Sequence, residues 1–287
     1  MKFDDQNVDA SQLQDVRGQR GGSSGGFGGM SRGTAIGGGG LGIVGLLIAM
    51  FLGVNLTNDQ SAPPPPQQAA TGSDVAIRCN QPGAIDEYDD CFITKIFNEN
   101  NEIWASQVQG YQRPTLVFFE RAVRTACGPA SSDTGPFYCP GDNKVYIDLG
   151  FMDQLLNRLG AKGRNAQAYV VAHEVGHHIQ NITGQERKMR QLQQQDPRNK
   201  NKYSVMLELQ ADCYAGVWAR QANDSGKVQI TKEELYQALE AAAAVGDDRI
   251  NPRASPESFT HGTSQQRQQW FSKGFESGDP RQCNTFA

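Results

Sequence analysis

His173-Glu174-Val175-Gly176-His177 constrains this chain more than any other stretch, because it sets two imidazoles four residues apart with a carboxylate beside the first. On an α-helix, positions four apart project from one face, so both rings can address one cation while Glu174 reaches a water bound to it. The preceding Ala166, Tyr169, Val170 and Ala172 are small or apolar, as a buried helix requires, and Thr183-Gly184 supplies a stop. A helix that carries ionisable groups into a core needs a partner for them, and Zn2+ is the usual one. The alternative is a solvated His pair on a charged amphipathic helix. His178 points about a quarter-turn away from His177 and reads as a supporting or surface residue.

A catalytic zinc takes three protein ligands and keeps one position open for water. Glu208 and Asp212 lie four apart among Met206, Leu207, Ala211, Ala215 and Trp218. Two carboxylates inside an apolar helix are costly unless something positive receives them. Glu208 as metal ligand, with Asp212 accepting the outer N–H of a ligating His, would satisfy both. Solvent exposure, or pairing with Arg220 or Lys202, is the competing account. Within such a site Glu174 is expected as general base and then acid, and His261, the one remaining histidine, as donor to the oxyanion. Arg267 is expected to support that anion or a neighbouring carboxylate.

The rest of the sequence separates a tail from a body. Glycine crowds the first part of the chain, and Pro63 to Pro66 follow soon after. Residues 1–34 are expected as a disordered cytoplasmic tail. Residues 35–56 carry no charge, which gives roughly 20 residues, enough for one tilted bilayer crossing. An uncleaved anchor is expected rather than a cleavable signal peptide, because no A-x-A site follows. Arg17, Arg20 and Arg32 precede this segment and no Lys or Arg follows until Arg78, so the N-terminus is expected in the cytoplasm and the body outside it. Residues 57–75 read as an extended spacer and 76–287 as one catalytic domain. The formal charge of −4, without a basic stripe, excludes a nucleic-acid footprint.

All six cysteines follow the apolar segment, which suits an oxidising compartment. Spacing makes Cys79–Cys91 and Cys127–Cys139 natural short-loop pairs and leaves Cys213–Cys283, one of several connectivities, with reduced buried thiols as the alternative. Helical patterns cover Asp89–Gln107, a run from Asp148 as cap to about Leu159, and Ser204–Arg220. Two more follow the capping box Thr231-x-x-Glu234 and His261. Thr115–Phe119 reads as a strand, Phe137–Asp148 as a hairpin, and 191–202, broken by Pro197, as an exposed excursion. Strands before helices, without regular alternation, argue for an α+β fold.

His173-Glu-Val-Gly-His177 with Glu208-Leu-Gln-Ala-Asp212 resembles the gluzincin pattern, in which two His and a downstream Glu hold zinc. The body as a whole, with its Cys139-Pro-Gly-Asp-Asn-Lys-Val-Tyr-Ile-Asp148 hairpin, tail and anchor, is similar to the neutral zinc metallopeptidase family of membrane-anchored bacterial proteins. That resemblance spans nearly all of the chain. It implies a zincin-like domain, with His173, His177 and Glu208 as zinc ligands and Glu174 as the catalytic residue. A more distant likeness is to membrane-associated peptidases of the CAAX-processing and heat-shock type. It covers the hairpin, Glu208 to Asp212, and His261 to Arg267, with Gly262 where those enzymes carry proline. It implies roles for His261 and Arg267, and substrate pairing beside the strand Lys144–Asp148. The expected function is a membrane-tethered zinc endopeptidase acting on extracytoplasmic proteins or peptides. A catalytically quiet zincin-fold scaffold that holds peptides is the rival, and the intact Glu174 argues against it.

Overall fold

The computed structural model describes residues 1–4, 7–18, 72–161 and 163–286. The chain begins with strands β1 (Lys2–Phe3) and β2 (Leu13–Asp15), and the body opens with helices α1 (Gly72–Cys79) and α2 (Asp89–Gln107). Strands β3 (Thr115–Phe118), β4 (Ala122–Thr125), β5 (Gly128–Ser131), β6 (Phe137–Cys139) and β7 (Lys144–Ile147) follow. Helices α3 (Leu149–Arg158), α4 (Arg164–Ile182), α5 (Gln185–Gln195) and α6 (Lys200–Asp224) come next, then β8 (Val228–Gln229), α7 (Lys232–Ala244) and α8 (Ser264–Ser277). This is the α+β arrangement expected, with the helical patterns, the Thr115 strand and the Phe137–Asp148 hairpin in place.

The main sheet runs β2-β3-β7-β6, with β2, β3 and β7 parallel and β6 antiparallel to β7 at one edge. Strand β3 is apolar at consecutive positions because both of its faces are covered. Leu116, Phe118, Val145, Ile147 and Tyr138 point into the helical core, whereas Val117, Phe119, Phe137 and Tyr146 form a second, smaller core with Ala130 of the β4–β5 hairpin. The sheet therefore presents one face to the helices and closes the other with its own hairpin. The turn Pro140 to Asn143 joins β6 to β7, with Asn143 at φ 56°, a conformation that asparagine tolerates.

Caps fix the helix boundaries. Asp148 accepts the Phe151 N–H at 3.1 Å and starts α3, and its other oxygen takes Arg121 N–H and the Ser132 hydroxyl. Thr231 and Glu234 close the expected capping box of α7, worth about 1 kcal/mol. Helices α6 and α8 touch backbone to backbone at Gly216 and Gly274, where an added Cβ would lie about 2 Å from a carbonyl oxygen of the facing helix. Cys79–Cys91, Cys127–Cys139 and Cys213–Cys283 are all bonded, as spacing suggested, and the last ties α6 to the C-terminal segment.

Two expectations need correction. The disordered tail assigned to residues 1–34 fails over its described part. Strand β2 extends the main sheet beside β3, and β1 pairs with β8. Composition underestimated the anchoring: Phe3, Val8 and Leu13 are buried, and Asn80 clamps the Val8 backbone through both its N–H and its carbonyl. Arg17 bridges Asp15 at 2.8 Å and Asp90 at 2.9 Å. The polar excursion after Gly184 is exposed, as expected, and carries a regular helix, α5. Strand β7 is flanked on both sides, so it cannot take up a further strand; the free edge belongs to β6. The anchor expected over 35–56 and most of the spacer over 57–75 lie outside the described residues. Among the described residues no helix is long and apolar enough to cross a membrane.

Candidate metal centre

Helix α4 crosses α6 with Gly176 facing Ala211. A Cβ on Gly176 would stand 3.0 Å from the Ala211 carbonyl oxygen and 3.2 Å from its Cα. This close approach lets the Glu208 carboxylate reach both imidazoles. Its Oε2 is 3.2 Å from His173 Nε2, and its Oε1 is 3.5 Å from His177 Nε2. Tetrahedral donors at ordinary zinc bond lengths stand about 3.3 Å from each other. The donor set of two imidazole nitrogens and one carboxylate oxygen therefore fits zinc in chemistry and spacing. Replacing Gly176 with Ala should lower zinc affinity by about tenfold, comparable to the loss of a supporting contact. Stability should change by only ~1–2 kcal/mol, because overpacking is partly offset by helix propensity. Zinc titration and thermal unfolding of the variant check both effects.

The far side of each ring is also fixed. His173 Nδ1 donates to Asp212 Oδ1 at 2.9 Å and His177 Nδ1 to Gln180 Oε1 at 2.8 Å, which leaves both Nε2 lone pairs directed at the Glu208 side. Burial by itself would depress His177, but the Glu208 carboxylate outweighs it and pushes the ring up to about 9; Asp212 and Glu208 raise His173 in the same way. Burial would likewise raise Glu208, yet the His177 and His173 charges hold it well below the usual carboxylate range. Such a cluster carries a strong local demand for positive charge.

Asp212 is fully buried, and its oxygens accept from His173, from the Tyr169 hydroxyl and from Arg267 through Nε at 2.8 Å and a terminal nitrogen at 2.9 Å. Arg267 spends another donor on the Val245 carbonyl at 3.1 Å. Of the two roles open to Arg267, the structure gives it the carboxylate. Solvent exposure of Glu208 and Asp212 is ruled out, as is their pairing with Lys202 or Arg220; Arg220 instead contacts Asp224.

Glu174 sits one residue round the helix from His173, buried, where it accepts the Tyr138 N–H of edge strand β6; burial raises its pKa. His178, expected as a supporting or surface residue, is inaccessible to solvent. It donates from Nε2 to the Gln112 carbonyl at 2.6 Å, and its Nδ1 lies 3.0 Å from the Tyr138 hydroxyl. Desolvation depresses it to about 4, so it stays neutral and pins β6 against α4.

His261 is buried and close enough to Glu208 to help keep that carboxylate ionised. Asp247 holds it. One Asp247 oxygen accepts His261 Nδ1 at 2.9 Å, and the other takes the backbone N–H groups of Thr260, His261 and Gly262 at 2.7, 2.7 and 3.0 Å. Nε2 of His261 is buried without a hydrogen-bond partner among the described residues. Gly262 adopts φ +90°, which proline cannot, and donates an N–H that proline lacks. The departure from the H-P-x-x-x-x-R pattern thus has a backbone reason.

The family model described as "Putative neutral zinc metallopeptidase" matches residues 1–286. The chain belongs to this family. Relatives include "Uncharacterized protein YpfJ" of Escherichia coli (strain K12), 44% identical over 287 residues, 97% of this chain and 96% of that protein. "Uncharacterized protein Rv2575" of Mycobacterium tuberculosis is 40% identical over 254 residues, covering 83% and 85% of the two chains. No solved structure matches. In this member of the zinc metallopeptidase family, sequence reasoning placed His173, Glu174, His177, Glu208, Asp212, His261 and Arg267, and all of them gather between α4, α6 and the Asp247–His261 loop. It missed Tyr169, Gln180 and Asp247. Gln180 follows His177 by three positions, a spacing that could have flagged it.

Proposed function

We propose that this protein is a zincin-type zinc endopeptidase that hydrolyses peptide bonds in proteins or peptides outside the cytoplasm. The observation that carries the reading is the convergence of His173, His177 and Glu208 donor atoms, all within 4.8 Å of one another, beside the buried carboxylate of Glu174. Zinc bound there supplies Lewis acidity and lowers the pKa of its water toward ~7. Glu174 takes the proton of the attacking water and delivers it to the leaving amine, so that amide and water become carboxylate and amine. His261 faces the developing oxyanion, with Asp247 holding its Nδ1 and its buried Nε2 left without another partner among the described residues. Asp247 is a positioning residue for His261, as Asp212 is for His173. The substrate main chain pairs with the free edge of β6, whose Tyr138 already borders Glu174.

Three disulfides support a working location outside the cytoplasm, and the charge-free stretch 35–56 would keep the domain at a membrane. The purified protein should bind one equivalent of zinc and cut unfolded protein, with a chelator stopping and zinc restoring cleavage. Stoichiometric zinc with no cleavage across a broad peptide library would replace this reading with the peptide-binding scaffold.

A further inference from the structure

The formal charge of −4 conceals a local reversal. Residues 185–203 hold Arg187, Lys188, Arg190, Arg198, Lys200 and Lys202 against only Glu186 and Asp196, and every one of these cations is exposed. The stretch comprises α5, a short turn at Pro197–Asn199 and the start of α6, folded into a helical hairpin. Gln193 ties its arms by donating to the Lys200 carbonyl at 2.9 Å and the Ser204 hydroxyl at 3.0 Å. Both anions are used inside it, Glu186 by Arg190, and Asp196 by Asn199 and Tyr203. Among the described residues no carboxylate lies within ion-pair distance of Arg187, Arg198, Lys200 or Lys202. The fold gains little from this arrangement. Helix α5 buries no residue, and Lys200 and Lys202 stand in the first turn of α6, where the helix dipole disfavours positive charge.

The hairpin stands at one end of the candidate site. Helix α5 leaves the end of α4, whose Asn181 donates to the Tyr138 hydroxyl of β6 at 2.9 Å. On the other arm, Asn201 donates to the Glu257 carbonyl at 2.9 Å, in the segment that leads to His261. The cations thus border the space between the free edge of β6 and the His261 loop. Lys202 and Lys200 precede Glu208 on α6 by about 9 and 12 Å along the helix axis. An extended chain rises about 3.3 Å per residue, so they come level with side chains about three or four positions from a bond held at the metal. A membrane held by residues 35–56 would meet a different face. Helix α1, where the described chain resumes, packs beside β2, and β2 and β6 are opposite edges of the main sheet. We propose that this hairpin recognises acidic side chains of the polypeptide substrate, about three or four residues from the scissile bond. The inference rests on the peptidase reading for its substrate, but binding can be read without turnover.

The test uses the full-length, zinc-loaded Glu174→Gln protein and three fluorescein-labelled peptides with one common centre, flanked by glutamate, glutamine or lysine. Fluorescence anisotropy at about 0.1 M salt should show about five- to tenfold tighter binding of the glutamate peptide than of the glutamine peptide, the sum of a few exposed ion pairs. The lysine peptide should bind most weakly. At about 1 M salt, where the screening length falls to ~3 Å, the advantage should vanish. Reversing the unpaired cations together (Arg187→Glu, Arg198→Glu, Lys200→Glu and Lys202→Glu) should make the lysine peptide the tightest and leave the unfolding temperature at or above that of the parent. If that variant does not fold, the peptide series and its salt dependence still decide. Equal binding of the glutamate and glutamine peptides would overturn the proposal, as would a preference that survives about 1 M salt. So would capture of phosphatidylglycerol vesicles, lost on charge reversal, without discrimination among the peptides; the hairpin would then belong to a lipid surface. Discrimination among the peptides with no cleavage of any of them by the wild-type protein would overturn the peptidase reading and leave the hairpin assignment standing. Cleavage of all three at equal rates, together with equal binding, would do the reverse.

Discussion

Glu174→Gln should lower peptide hydrolysis by about a thousandfold, within the range for loss of a general acid–base, while zinc stoichiometry and unfolding temperature stay at wild-type values. The separation follows from geometry. Glu174 is outside the group of converging donors, so the metal site keeps its ligands. Glutamine has the same shape and retains an oxygen for the Tyr138 N–H, so the buried position remains satisfied. What the amide cannot do is take a proton from water at neutral pH. Parallel assays of cleavage, metal content and thermal unfolding are decisive. Wild-type activity in this variant would remove the proposed mechanism, and loss of zinc would mean that Glu174 serves the metal rather than the proton.

Asp212→Ala should have the largest effect on stability, a loss of about 3–5 kcal/mol. Arg267 is nearly inaccessible to solvent, and without Asp212 its charge keeps only the Glu208 carboxylate, 3.9 Å away and already shared with two imidazoles. Zinc affinity should fall as well, by about 10- to 100-fold, because the His173 ring loses the acceptor that sets its tautomer. The two effects can be separated with Asp212→Leu combined with Arg267→Met, which replaces the ion pair with apolar groups of comparable size. Stability should largely return in that double variant, and zinc affinity should not. Denaturant unfolding and zinc competition measure the two quantities independently. Recovery of both would show that Asp212 acts on the fold alone.

What the sequence disclosed and what it concealed divides along contact range. The motif helix, the Asp148 and Thr231 caps and the Phe137–Asp148 hairpin are written in residues within a few positions of each other, and each forms where expected. Glu208 and Asp212 were legible because buried carboxylates demand a cation and only one cation-binding pair was on offer. Asp247 was hidden. It reaches His261 across an irregular loop, and no periodicity links the two. The edge position of β6 was hidden too, since strand order in a sheet depends on partners far away in sequence. Helix α5 was missed for a different reason. Gln185 to Gln195 has no apolar stripe, but it is rich in good helix formers, and intrinsic propensity was underweighted against polarity.

The placement of β2 reaches beyond stability. Its three residues are hydrogen-bonded to β3, and Arg17 is locked to Asp90 of the body, so Leu13 and Leu116 share one aqueous compartment. Drawing β2 out of the sheet would expose the flank of β3. The first eighteen residues are thus part of the domain they complete, and a protein cut back to the body would lack one strand of its main sheet.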